Sequence, residues 1–190
     1  MFLLQDDISH IVRLLEEGKI ICYPTDTIWG IGCDATRADV VERVSALKGD
    51  SDPNGYVVLV SDINMLRQYV PEIHPRLETL LAYHIRPLTI VYPAGQGLAP
   101  NTKAADGSIA VRIVQDDFCK ALIAGLGRPI LGTAARLMNE EYPVNFKAVN
   151  SQIISGVDYV VRYRRGETEP CLPSSIARLD RHLELEFLRE

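Results

Sequence analysis

The chain has 190 residues, 47% of them hydrophobic and 24% charged, which fits one globular domain over 1–190 with a sizeable core and excludes a disordered or fibrous chain. Lys and Arg number 20 against 25 Asp and Glu, a formal charge of −5, so a generally basic, nucleic-acid-coating surface is excluded while a local basic groove is not. The four cysteines, Cys22, Cys33, Cys119 and Cys171, lack zinc or redox spacing and read as reduced core thiols of a cytoplasmic protein. No export signal opens the chain, and no window approaches the ~20 apolar residues of a membrane span.

Apolar residues Ile8, Ile11, Val12 and Leu15 predict a first amphipathic helix, capped by Asp6 or Asp7 and stopped at Gly18. A short buried strand over Ile20 to Tyr23 runs into a polar loop, Pro24 to Gly32. A helix through Val40, Val41, Val44 and Leu47 ends in the turn-rich stretch Lys48 to Gly55. Next come a strand over Tyr56 to Val60, a helix capped by Ser61 and closed by Pro71, and a helix over Leu77 to Ile85. Strands are expected at Leu88 to Tyr92 and Ser108 to Val114, a helix at Asp117 to Leu126, a strand at Ile130 to Ala134 and a helix at Val144 to Ile154. The last third adds strands at Tyr159 to Val161, Ser175 to Leu179 and Leu183 to Leu188. This alternation predicts an α/β (mixed α+β) fold, a twisted, mixed and largely antiparallel sheet covered by helices.

In such folds ligands collect at loops beyond strand ends, and four loops are rich in polar groups: Pro24 to Gly32, Lys48 to Gly55, Gly132 to Asn139 and Arg164 to Ser175. By residue type and spacing alone the first reads as a polar turn beside a buried Trp29, ahead of hydroxyls and a carboxylate that orient a ligand. Arg112, on an apolar strand, reads as a snorkelling or salt-bridged arginine, and Ser174 as a turn serine. Arg162, Arg164 and Arg165 form the most basic cluster, either a solvated strand end or a phosphate- or tRNA-facing patch. His10, His74, His84 and His182 read as structural or exposed, and no Ser/His/Asp or Cys/His grouping is present.

Tyr23-Pro24-Thr25-Asp26-Thr27-Ile28-Trp29-Gly30 closely resembles the PT[ED]TxYG signature of the YrdC/Sua5 family. Arg86-Pro87-Leu88-Thr89, Ile109-Ala110-Val111-Arg112 and Pro173-Ser174-Ser175-Ile176 are similar to three further family segments, in the family's order, so the resemblance runs from about Ile8 to Arg189. It implies the three-layer fold of the YrdC and RibB type. It also implies a threonylcarbamoyl-AMP synthase, a nucleotidyltransferase that forms L-threonylcarbamoyladenylate and pyrophosphate from L-threonine, bicarbonate and ATP for tRNA t6A modification. By the same resemblance Thr27, Arg112 and Ser174 hold threonine, while Lys48, Thr133, Arg136 and Arg189 meet the nucleotide. ATP is then a substrate carried with Mg2+, no tightly bound cofactor or protein metal site is expected, and the catalytic set is empty because the mechanism is one of positioning.

The nucleotide motifs depart from the family. Its KxR reads Lys48-Gly49-Asp50 and its SxN reads Ala134-Ala135-Arg136, so Asp50, Ala134 and Arg136 are changed. An acid beside a triphosphate is unfavourable by about 4 kcal/mol per charge pair at 4 Å and an effective dielectric near 20. Arg136 restores a cation, either by pairing with Asp50 or by taking over the phosphate contact. The alternative implied by the departures is a degenerate family member that binds tRNA, double-stranded RNA or a small ligand without adenylation. A weaker one is the carbamoyl transfer performed by related domains in metallocentre maturation.

Overall fold

A computed structural model of the chain describes residues 6–49 and 54–190. In chain order the elements are α1 (Ile8–Glu16), β1 (Ile21–Tyr23), β2 (Gly30–Gly32), α2 (Ala38–Lys48), β3 (Val57–Val60), α3 (Ile63–Tyr69), α4 (Pro75–Tyr83) and β4 (Leu88–Tyr92). They continue as β5 (Ile109–Ile113), α5 (Asp117–Leu126), β6 (Ile130–Leu131), β7 (Thr133–Ala134), α6 (Ser151–Gly156), β8 (Tyr159–Val160), β9 (Ser175–Leu179) and β10 (Leu185–Arg189).

The mixed α/β character is as expected, and the strands divide between two sheets. One has the order β7-β2-β1-β8 and the other β10-β9-β4-β5-β3-β6, each combining parallel and antiparallel neighbours. Period-two alternation assigns side chains to two cores. Val58 and Val60 of β3 and Cys22 of β1 join α2, β4, β5 and Leu77 of α4 in one core. Leu59, Ile21 and Tyr23 face the other way, into the core that α1 and α5 complete. Burial pushes the Cys22 thiol up to about 12 and raises those of Cys33 and Cys119 as well, so these thiols behave as small apolar residues at neutral pH. Among the described residues no helix is long and apolar enough to cross a membrane.

Local chemistry corrects several expected boundaries. Asp7 caps α1 by accepting from Ser9 N at 2.9 Å, whereas Asp6 is buried and accepts from Tyr163 N at 2.6 Å, Arg162 N at 2.8 Å and Tyr159 Oη at 2.8 Å. Asp62, not Ser61, caps α3, accepting from Asn64 N and Met65 N while the Ser61 hydroxyl donates to its carboxylate. β2 lies inside what reads as a loop. The strand expected over Ile130 to Ala134 breaks at Gly132, with β6 in one sheet and β7 in the other. In place of a helix over Val144 to Ile154 there is a 3-10 turn, Phe146–Ala148, and then α6. Asn145 and Asn150 mark that break, since their side chains accept from Ala148 N and Gln152 N and each caps the start of a separate element, the 3-10 turn and α6.

Candidate functional site

A cleft of about 440 Å3 collects residues from all four polar loops, among them Thr27, Lys48, Gly132 to Ala134, Arg136 and Ser174. Arg112 of β5, Tyr142 and Arg189 of β10 complete its polar wall. The seven residues assigned to threonine and nucleotide therefore share one cavity, although they come from segments far apart in the chain.

At the Thr27 end the geometry is set by proton counting. A hydroxyl has one proton, and that of Thr25 goes to the Ile28 carbonyl at 2.9 Å, so across the 2.9 Å contact between Thr25 and Thr27 the Thr27 hydroxyl donates. Its lone pairs then face the cleft as an acceptor. Thr89, fully buried beneath Ser174, shares a hydroxyl hydrogen bond with Ser174 Oγ at 2.8 Å, and Ser174 Oγ also accepts from Arg189 Nη2 at 3.4 Å. Arg112 stands beside Thr89 in the β4–β5 register, with Nη2 3.4 Å from Thr25 Oγ1 and 3.0 Å from Asp26 Oδ1. Of the readings open for Arg112 by residue type, the ion-paired one is realised, and Asp26 is the partner. The end thus brings two hydroxyls and an ion-paired guanidinium together at one side of the cleft.

The other end is cationic. Lys48, the last residue of α2, donates to Ala134 O at 2.7 Å and Arg136 O at 2.9 Å, and Met138 N returns a bond to Lys48 O at 3.2 Å. Gly49, at φ 88°, ends the helix in the left-handed conformation and lets the chain turn away. Lys48 therefore shapes the loop after β7. Arg136 donates Nη1 to Glu140 O and lies over the Tyr142 ring, 4.3 Å from its centroid. The Glu140 carboxylate is itself held by Leu137 N and Asn150 Nδ2. Arg189 donates to Ser174 O at 2.9 Å and to Tyr142 Oη at 2.9 Å, which ties the β10 edge to the loop from the other sheet. Asp50 lies outside the described residues, and with it the Asp50–Arg136 pair. Thr133, in β7 opposite Ile31, and Ala134 line the cleft floor.

The arginine cluster is largely turned inward. Arg164 Nη1 donates to Thr25 O at 2.9 Å and approaches Asp116 at 3.6 Å, with Nε on Glu167, so it braces the Thr25–Thr27 loop from behind. Arg165 Nε donates to Val161 O at 2.7 Å, and Arg162 is exposed. Sequence reasoning passed over Tyr142, Thr89 and the pairing role of Asp26. A tyrosine between Glu141 and Pro143 has no motif signal, and Thr89 occupies an ordinary strand position.

Two sheets with a polar cleft that has hydroxyls and an ion-paired arginine at one end and cations at the other define a mixed α/β domain. The Sua5/YciO/YrdC family model, described as "Telomere recombination", matches residues 13–190, and the chain belongs to that family. Threonylcarbamoyl-AMP synthase of Xanthomonas euvesicatoria pv. vesicatoria is 32% identical over 160 residues, 82% of this chain and 84% of that protein. The synthase of Halorhodospira halophila is 27% identical over 87% of each. Among solved structures, P. abyssi Sua5 complexed with L-threonine has a TM-score of 0.81 at 24% identity over 90% of this chain, and this chain spans half of that one. E. coli YciO matches over 98% of this chain and 92% of its own, with a TM-score of 0.81 at 19% identity.

Proposed function

We propose that the chain is a threonylcarbamoyl-AMP synthase with a rebuilt nucleotide end. The observation that carries the reading is the single cleft in which the Thr27, Arg112 and Ser174 end continues into the Arg136 and Arg189 end. Threonine would seat its carboxylate on Arg112 and Ser174 and its amine toward Thr27 Oγ1. After its ammonium gives up a proton to solvent, the neutral amine attacks carbon dioxide with release of a further proton, or bicarbonate with loss of water, to give a carbamate. A carbamate oxygen then attacks the α-phosphorus of ATP, and the bond to the leaving pyrophosphate breaks. No protein nucleophile takes part; alignment and charge neutralisation lower the barrier, with Arg136 and Arg189 toward the phosphates and Mg2+ entering with ATP. Arg136 replaces the cation that Asp50 removes from the family pattern.

The test is calorimetric titration with ATP and with L-threonine separately, followed by pyrophosphate release. Binding of each, and release only when threonine, bicarbonate and ATP are all present, is expected. Threonine binding without ATP binding or pyrophosphate would identify a degenerate binding protein instead, the reading that Ala134 favours because it removes a hydroxyl from the cleft floor. Asp50→Arg, Ala134→Ser and Arg136→Asn combined should then restore turnover.

A further inference from the structure

Asp26 and Arg112 form an ion pair with side chains only 7% and 6% exposed, Nη2 to Oδ1 at 3.0 Å. Asp26 Oδ2 accepts from Gln115 N at 3.0 Å, which anchors the carboxylate to the segment just beyond β5. Yet Arg112 Nε is buried without a hydrogen-bond partner, while Asp26 Oδ1 meets the Nη2 of Arg112 as an ion pair. A buried pair kept for stability alone has its donors and acceptors filled, because an unfilled one carries its full desolvation cost. An unfilled donor on an arginine that lines the cleft marks a pair kept for more than stability. Arg112 lines the cleft and Asp26 does not.

We propose that Asp26 is a positioning residue: it holds Arg112 by the Nη2 side, fixes the guanidinium plane with Nε buried, and so sets which edge of the fork meets the carboxylate of an incoming amino acid. Asp26 touches no substrate and acts through Arg112. The charge of Asp26 also neutralises Arg112 in the empty cleft, so recognition depends on the fork's orientation rather than on a bare cation. The inference rests on the amino-acid reading of the cleft and adds a residue to it.

Two measurements separate this inference from that reading. The first uses the ligand-free protein: the side-chain Nε–H resonance of Arg112, identified by its loss in Arg112→Lys, should be sharp and slow to exchange in the parent and in Asp26→Glu. It should broaden or vanish in Asp26→Asn. The second is L-threonine titration, in which Asp26→Asn should weaken binding at least tenfold and Asp26→Glu should recover it to within threefold, with ATP affinity changed less than twofold in both. Gln115→Pro, which removes the N–H anchor at an exposed position while touching no cleft residue, should weaken threonine three- to fivefold and serves if Asp26→Asn does not fold. An unaltered Arg112 signal, or parent-like threonine affinity, in folded Asp26→Asn overturns the inference; so does parent-like behaviour of Gln115→Pro where Asp26→Asn does not fold. If the parent itself binds no threonine, the amino-acid reading falls while the resonance still decides whether Asp26 orients Arg112.

Discussion

Arg136 illustrates how one residue's context changes its meaning. In sequence it is a departure from the family's nucleotide motif; in the cleft its guanidinium rests on the Tyr142 ring, with Arg189 on the same tyrosine. Among the described residues neither arginine has a carboxylate within ion-pair distance. Arg136→Ala should raise the KM for ATP about tenfold, equivalent to about 1.4 kcal/mol, and leave threonine affinity unchanged. Steady-state kinetics against each substrate checks this, and an equal loss for both would mean the substitution disturbs the loop as a whole. That Thr27, Arg112 and Ser174 stand out was legible because their motifs are long, whereas the pairing of Arg112 with Asp26 was not. Nothing in a local pattern says which buried charge will meet which.

At the scale of elements, the helices with clear amphipathic periods and flanking caps were readable, and the errors fall where a polar side chain or a glycine competes with the period. β2 is Gly-Ile-Gly, with no β-branched run to mark it, and it forms because β1 and β7 flank it on both edges. Gly132 separates β6 from β7 at a point where its backbone N donates to Val57 O at 2.8 Å. A Cβ there would lie 2.7 Å from Leu59 Cγ, inside a packed core. Gly132→Ala should therefore destabilise the protein by about 1–3 kcal/mol, the usual range for overpacking. A lower urea midpoint at unchanged slope is the expected result; an unchanged midpoint would show that Leu59 yields without strain.

Over the whole molecule, Asp158 ties distant segments together: its carboxylate accepts from Ile20 N at 2.8 Å and Arg43 Nη2 at 3.0 Å, joining the start of β1, α2 and the approach to β8. Burial would raise its pKa, but the Ile20 N–H and Arg43 prevail, and the pKa is lowered. A carboxylate with a depressed folded-state pKa stabilises above its unfolded value, about 3.9, and loses that contribution as pH falls through the folded value. Asp158→Asn should accordingly cost about 1–2 kcal/mol at pH 7, and the gap to the parent should close below about pH 4. Denaturation across that range checks it; a gap constant with pH would assign the loss to packing.

What the sequence by itself determined are properties that act over a few residues: which segments are amphipathic, which loops are too polar to bury, and which hydroxyls and cations stand in a recognisable motif. The tertiary structure alone decided how those pieces meet. It divided the strands between two sheets, brought four loops to one cleft, set Thr89 under Ser174 and Thr25 beside Arg112 across 85 and 87 residues of chain, and placed Tyr142 between two arginines. The physical reason is that long-range strand pairing and the filling of buried polar groups are satisfied collectively, by the fold, and leave no periodic trace in the segments that take part.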